Sequence, residues 1–158
     1  MMQKVIFFSF ISIVGIGLIM YLYIMFFLST PDTKIKIEKN EISKKLKTNQ
    51  TILIPSEFEL KNVYLMDDGI LTPHIDVQLS HQINISIHSS NGLDYEGGKK
   101  VRTKIINNIK IREYQTKDRR VIYIFKDDQL NYLYEFYETY RKSIDEYLSK
   151  SALNNGAF

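Results

Sequence analysis

Cysteine is absent from the chain, and that absence closes several routes at once. It leaves no disulfide framework, no thiolate metal ligand, no cysteine nucleophile and no attachment point for a lipoprotein lipid. Sequence signatures of common chemistries are missing as well. There is no H-E-x-x-H zinc helix, no G-x-S-x-G nucleophile elbow, no Walker loop and no EF-hand loop. Charge of one sign is not in marked excess either, with a formal net charge of +3 over 158 residues. From residue 51 onward basic and acidic residues nearly cancel. A chain of this length has room for one domain.

What is present begins with a long apolar run. Val5 to Leu28 reads VIFFSFISIVGIGLIMYLYIMFFL and contains no charged residue. As a helix it would extend roughly 36 Å at ~1.5 Å per residue, enough for a hydrocarbon core of ~30 Å. The run is too long for a signal-peptide apolar region of ~7–15 residues. It ends in Phe26-Phe27-Leu28-Ser29-Thr30-Pro31, without small residues at cleavage spacing. The expected organisation is therefore a tail at 1–4, an uncleaved transmembrane helix at 5–28, a Lys-rich linker at 29–50 and a soluble domain at 51–158. The expected location is the cell membrane, in a single pass.

Two arguments about orientation conflict. Lys34, Lys36, Lys39, Lys44, Lys45 and Lys47 follow the run, while only Lys4 and the terminal amine precede it. The positive-inside rule then places the domain in the cytoplasm. Against this, exporting a short basic tail works against the membrane potential at ~2.3 kcal/mol per charge per 100 mV. The outward orientation of the domain is preferred. The linker itself reads as a solvated stalk, since Pro31 disfavours continued helix and KIKIEKNEISKKLK shows no clear period. Its alternative use is contact with anionic headgroups, at ~1 kcal/mol per Lys.

From Thr51 the pattern is β. Ile75, Val77 and Leu79 alternate with polar residues, and so do Ile83, Ile85 and Ile87. Asp67-Asp68-Gly69, Asn91-Gly92, Gly97-Gly98, Lys117-Asp118-Arg119 and Lys126-Asp127-Asp128 mark turns. The strands expected between them lie at about 58–66, 70–80, 82–89, 101–106, 109–115, 120–125 and 130–137. Short connections imply antiparallel neighbours. Ser143-Ile144-Asp145-Glu146 reads as a capping box that opens a C-terminal helix, with Ile144, Tyr147 and Leu148 on one face. The fold class is α+β: a curved antiparallel sheet of about six or seven strands with the C-terminal helix packed on it.

The order of these elements carries a resemblance. Ile54-Pro55-Ser56-Glu57-Phe58-Glu59-Leu60 resembles the "hydrophobic-Pro-x-x-aromatic" opening of a poorly characterised extracytoplasmic domain of low-GC Gram-positive bacteria. That domain is often attached to anti-sigma factors and sporulation proteins. Ile83 to Ile87, Val101 to Ile111, Val121 to Phe136 and Ser143 to Leu153 resemble its central strand, middle strand pair, closing hairpin and final helix. The resemblance covers about 51–153 and implies a half-barrel similar to that of lipoprotein carriers, with no catalytic residues. The chain departs from it in having Asn107-Asn108 where the middle turn usually has Gly, and in lacking the Trp of the penultimate strand.

Candidate chemistry is sparse. His74 and His88 share one strand parity and His81 has the other, so convergence on a metal ion is not expected. His88-Ser89-Ser90 with Asp94 nearby is a set of common residues, not a triad geometry. Asp67-Asp68 and Asp127-Asp128 read as turn residues. Two features could bind. The first is a basic ribbon: if residues 101–112 are extended, Val101, Thr103, Ile105, Ile109 and Ile111 share one face, and Arg102, Lys104, Lys110 and Arg112 share the other. That face would suit an anionic partner, or would be a solvated face protecting an edge strand. Nucleic acid is not expected, because no aromatics interleave with these charges. The second is the aromatic row Tyr132, Tyr134 and Phe136, read as core under the helix, or else as the lining of a cleft. The expected function is a non-enzymatic, membrane-anchored extracytoplasmic binding or sensing domain, with no cofactor. Its partners would be the bilayer and another envelope protein or anionic polymer. The alternative is a cytoplasmic-facing adaptor that lays its basic stalk and basic strand face on the inner leaflet.

Overall fold

The computed structural model describes residues 33–67, 72–89, 93 and 95–151, together with Gly17, Met20 and Tyr21. The chain divides into two compact units, Met1–Asp32 and Thr33–Phe158. In the first unit Gly17, Met20 and Tyr21 are helical. The rest of the expected span Val5–Leu28 lies outside the described residues, among which no helix is long and apolar enough to cross a membrane. Ser90, Asp94 and Asp68 also lie outside them.

The second unit is α+β. Its strands are β1 (Thr33–Lys36), β2 (Leu60–Asp67), β3 (His74–Leu79), β4 (Asn84–His88), β5 (Lys99–Ile106), β6 (Ile109–Gln115), β7 (Arg120–Asp127) and β8 (Leu130–Tyr137). They form one sheet in the order β1-β2-β3-β4-β8-β7-β6-β5, and every neighbouring pair is antiparallel. A short helix α1 (Ile42–Lys45) follows β1, and α2 (Arg141–Ser151) closes the described chain.

The alternation that marks the strands also sorts their side chains. In β3, Ile75, Val77 and Leu79 are buried while His74, Asp76 and Gln78 are partly exposed. The same holds for β4. Most buried residues of β2, β3, β4, β6, β7 and β8 meet on one side, the inner face, together with Ile144 and Leu148 of α2 and with Leu53 and Ile54. Two tyrosines tie the segment before β2 to this face: Tyr134 Oη donates to the Leu53 carbonyl at 2.6 Å, and the Leu53 N–H donates to Tyr132 Oη at 3.3 Å.

On the outer face β7 departs from alternation, because Val121 through Phe125 are all buried. The cause is topological. β4 lies beside β8, whereas β5 is at the far edge, so the chain between them must cross the sheet. Two described residues of that crossing, Leu93 and Tyr95, lie against the outer side of β6. Arg112 donates to the Leu93 carbonyl, and Tyr95 packs edge-on against Tyr114 at 5.7 Å between ring centroids. Ile122 and Ile124 are buried on this side. Gly98 lets the crossing enter β5, since a Cβ there would meet the Gln115 carbonyl oxygen at 2.9 Å.

The fold corrects three expectations. The sheet has eight strands against the expected six or seven, and β1 is the one outside the seven expected ranges, formed from residues expected as linker. Residues 33–50 are therefore not a bare stalk: Ile37, Ile42 and Leu46 are in the core, and the Ile37 N–H donates to the Val63 carbonyl at 3.0 Å. Their apolar positions were masked by interleaved lysines. The C-terminal helix begins at Arg141, after a 3-10 turn over Glu138–Tyr140. Ser143 is thus inside the first helical turn and is not its N-cap.

Candidate functional site

The basic ribbon does not form one face. β5 and β6 are joined by a two-residue turn, in which Asn107 (φ 47°) and Asn108 (φ 68°) are both left-handed, as a type I′ hairpin turn requires. Asn tolerates this conformation, so the turn works without glycine. Its register sets Lys104 opposite Ile111, Ile105 opposite Lys110, Thr103 opposite Arg112 and Arg102 opposite Glu113. Residues directly opposite share a face. Arg102 and Lys104 therefore lie on the inner side with Ile109, Ile111 and Glu113. Lys110 and Arg112 lie on the outer side with Thr103 and Ile105. The expectation of a single face failed because the two-residue turn inverts parity between the strands.

On the inner side the cations meet carboxylates. Glu113 is 1% exposed. It accepts from Arg102 Nε at 3.0 Å and from Arg141 Nη1 at 2.6 Å, with Lys104 Nζ at 3.9 Å. Lys104 Nζ also bridges to Asp145 Oδ2 at 2.7 Å and sits 4.2 Å from the centroid of the Tyr123 ring. Tyr123 Oη in turn donates to Asp145 Oδ1 at 2.9 Å. Arg141 makes a further bridge to Glu138 at 2.6 Å. Three cations thus meet three carboxylates between the β5-β6-β7 end of the sheet and the start of α2.

Opposing effects set the proton affinities here. Burial by itself would raise the pKa of Glu113, but hydrogen bonds from Arg141 and Arg102, reinforced by their charge, hold it below the ordinary value. Burial, followed by the negative charge of Asp145, raises the Tyr123 hydroxyl well above its usual range. At neutral pH Tyr123 is therefore a neutral donor and Glu113 an anion. The cluster is internally neutralised, with Arg141 Nε buried in an ion pair to Glu138 but without a hydrogen bond. Its physical effect is to dock α2 on the sheet.

The aromatic row is core. Tyr132, Tyr134 and Phe136 are fully buried, and Phe125 stacks on Tyr132 at 5.1 Å. On the outer face His74 stacks on His88 at 4.4 Å, and Asp76 accepts from Ser86 Oγ at 2.6 Å. Burial first, and then the neighbouring His74, lowers the pKa of His88 to about 4, against a partial opposing effect of Asp76. His81 lies in a 3-10 turn with a left-handed backbone (φ 61°) and packs near Tyr140 at 5.1 Å.

A second group of cations was legible in the sequence, but its structure was not. Lys34, Lys36, Lys39, Lys44, Lys45 and Lys47 are all exposed. They project from β1, the following 3-10 turn and α1, whose apolar residues anchor the segment in the core. The members that sequence reasoning missed in the inner cluster are Glu113, Tyr123, Glu138, Arg141 and Asp145. One signal for Glu113 was available, because it continues the period-2 series of Ile109 and Ile111 and so belongs to the buried row. Comparison with family models, with characterised proteins and with solved structures finds no match for this chain.

Proposed function

We propose that the protein is a single-pass, membrane-anchored, non-enzymatic binding or sensing domain that faces the exterior of the cytoplasmic membrane and engages another envelope protein or an anionic polymer. The observation that carries this reading is the joint between its parts. The uncharged run ends at Leu28, and the folded unit begins at Thr33. Only a few residues separate a segment long enough to span a bilayer from the first strand of a self-contained sheet. The resemblance to the extracytoplasmic domain of low-GC Gram-positive bacteria supports the outward orientation. A non-catalytic role is supported by the inner cluster, whose carboxylates and tyrosine are each committed to a partner that holds α2.

One observation favours the cytoplasmic-facing adaptor: six exposed lysines follow the apolar run in sequence, on a segment whose apolar residues are anchored in the core. The β5–β6 ribbon adds little to it, since its four cations are divided between two faces. Paired C-terminal fusions decide the matter. An alkaline phosphatase reporter active only outside the cytoplasm should be active, and a fluorescent reporter that matures only inside should be dark. Alkaline carbonate should leave the full chain in the membrane pellet. The reverse reporter pattern would establish the adaptor, and release by carbonate would sink both readings.

A further inference from the structure

Residues 33–47 hold six lysines against two glutamates, whereas from residue 51 onward basic and acidic residues nearly cancel. The folded unit therefore carries its excess positive charge in one stretch of chain. All six lysines are exposed, and among the described residues none is held in an ion pair. Lys34 lies over the Tyr64 ring at 4.0 Å, a contact that leaves its charge without a counter-ion. The two glutamates serve the backbone: Glu41 Oε2 accepts from the Glu38 N–H at 2.9 Å and closes the 3-10 turn Lys39–Glu41. The contrast is with β5, whose Arg102 and Lys104 are taken up by Glu113 and Asp145. Nor is the segment loose. β1 is paired with β2 along its whole length, and Ile37, Ile42 and Leu46 are buried between the lysines.

Chain length says what this charge can meet. Four residues, 29–32, separate the uncharged run from Thr33. If the run spans a bilayer, covalent reach alone keeps Thr33 within ~18 Å of its end, at ~3.6 Å per residue. A headgroup layer within that reach is met at high effective concentration, with no second molecule to recruit. Its phosphates complement cations that the fold leaves without a counter-ion. We infer that the segment 34–47 is a headgroup-binding surface, through which the folded unit contacts anionic phospholipids of the membrane that holds its own anchor. The lysines supply the charge. Ile37, Ile42 and Leu46 fix that charge to the sheet, so binding restrains the folded unit and not a tail alone. The inference rests on the membrane-anchored reading but not on which side the domain faces, since the lysines that favour an inward domain serve an outward one equally.

The test uses the full chain, reconstituted in vesicles of phosphatidylglycerol or of phosphatidylcholine. A membrane-permeant amine-reactive reagent is applied briefly, and the modification of each lysine is read by mass spectrometry. Lys34, Lys36, Lys39, Lys44, Lys45 and Lys47 are expected to react several-fold more slowly in phosphatidylglycerol, and high salt should remove the difference. Lys142, 89% exposed on α2, should react alike in both lipids. In a Lys39→Glu/Lys44→Glu/Lys45→Glu variant the three remaining lysines should lose most of their protection. Its thermal melt should be unchanged, because the substituted side chains are exposed. Equal rates in the two lipids, in a chain that alkaline carbonate leaves in the vesicles, would overturn the inference and leave the anchor standing. A slowing shared equally by Lys142 would overturn it as well. Release by carbonate would overturn the anchor and the inference together. Slowing by soluble polyphosphate over phosphatidylcholine, with none from phosphatidylglycerol, would also overturn it and assign the segment to an anionic polymer.

Discussion

Glu113 holds more of the folded domain together than its position in a charged stretch of sequence suggests. It binds Arg102 from its own hairpin and Arg141 from the C-terminal helix. Glu113→Gln is expected to cost about 1–3 kcal/mol in urea denaturation, because it removes charged hydrogen bonds and strands their donors. Lys110→Glu, on the exposed outer side of the same hairpin, should stay within about 0.5 kcal/mol. Arg102→Glu should behave like the first and not the second, since it sets a carboxylate against Glu113. Because the pKa of Glu113 is depressed in the fold, its contribution is present above the ordinary carboxyl range and is lost as pH falls through its lower folded value. His88 acts in a different window. Its folded pKa of about 4 lies below the ordinary 6.5, so between those values the unfolded chain binds more protons. Stability is expected to be full above pH 6.5 and to decline toward pH 4. His88→Asn should flatten that slope in a melting-temperature series, and an unchanged slope would show that the ring titrates normally.

At the scale of elements, seven of the eight strands were legible, β3, β4 and β6 because their burial follows period 2 and the rest because turn residues bound them. Two things were not. Parity across the Asn107-Asn108 turn depends on turn length, which alternation within either strand does not encode. The start of α2 was displaced by a plausible capping box, whereas the chain enters the helix through a 3-10 turn with Tyr137 extended before it. The consequences are measurable. Leu148→Ala should destabilise by about 2–4 kcal/mol, as expected for a fully buried leucine. Ser143→Ala, inside the helix, should be neutral or stabilising by about 0.5 kcal/mol in place of the loss expected of a cap. Asn108→Gly should stabilise by up to about 1 kcal/mol, since its left-handed backbone is relieved of the Cβ penalty. A clear loss in that variant would mean that the Asn108 side chain contributes more than its backbone costs.

At the scale of the whole molecule, the boundary of the folded unit is where the sequence misled most. A fragment beginning at Asn49 respects the apparent linker but discards β1 and the buried Ile37, Ile42 and Leu46. A fragment beginning at Thr33 retains them. With each buried side chain contributing about 1.5–3 kcal/mol, the shorter fragment should be less stable by several kcal/mol. It should also expose the edge of β2. Side-by-side denaturation of the two fragments checks this, and equal midpoints would return residues 33–48 to the status of a stalk.

The position of β1 also determines how the domain would respond to being pulled. Tension on the preceding segment reaches the sheet at Thr33, the first residue of a four-residue edge strand whose partner there is Asp67. A load applied at the end of a strand and directed away from the sheet is not shared along the ladder; it opens the pairs in succession, beginning with Thr33 and Asp67. The opposite edge, seven strand spacings away at ~4.8 Å each, would feel little of it. Under a load of that direction the pairs of β1 open first, and peeling β1 would bring Ile37, whose N–H is bonded to the Val63 carbonyl, to the surface.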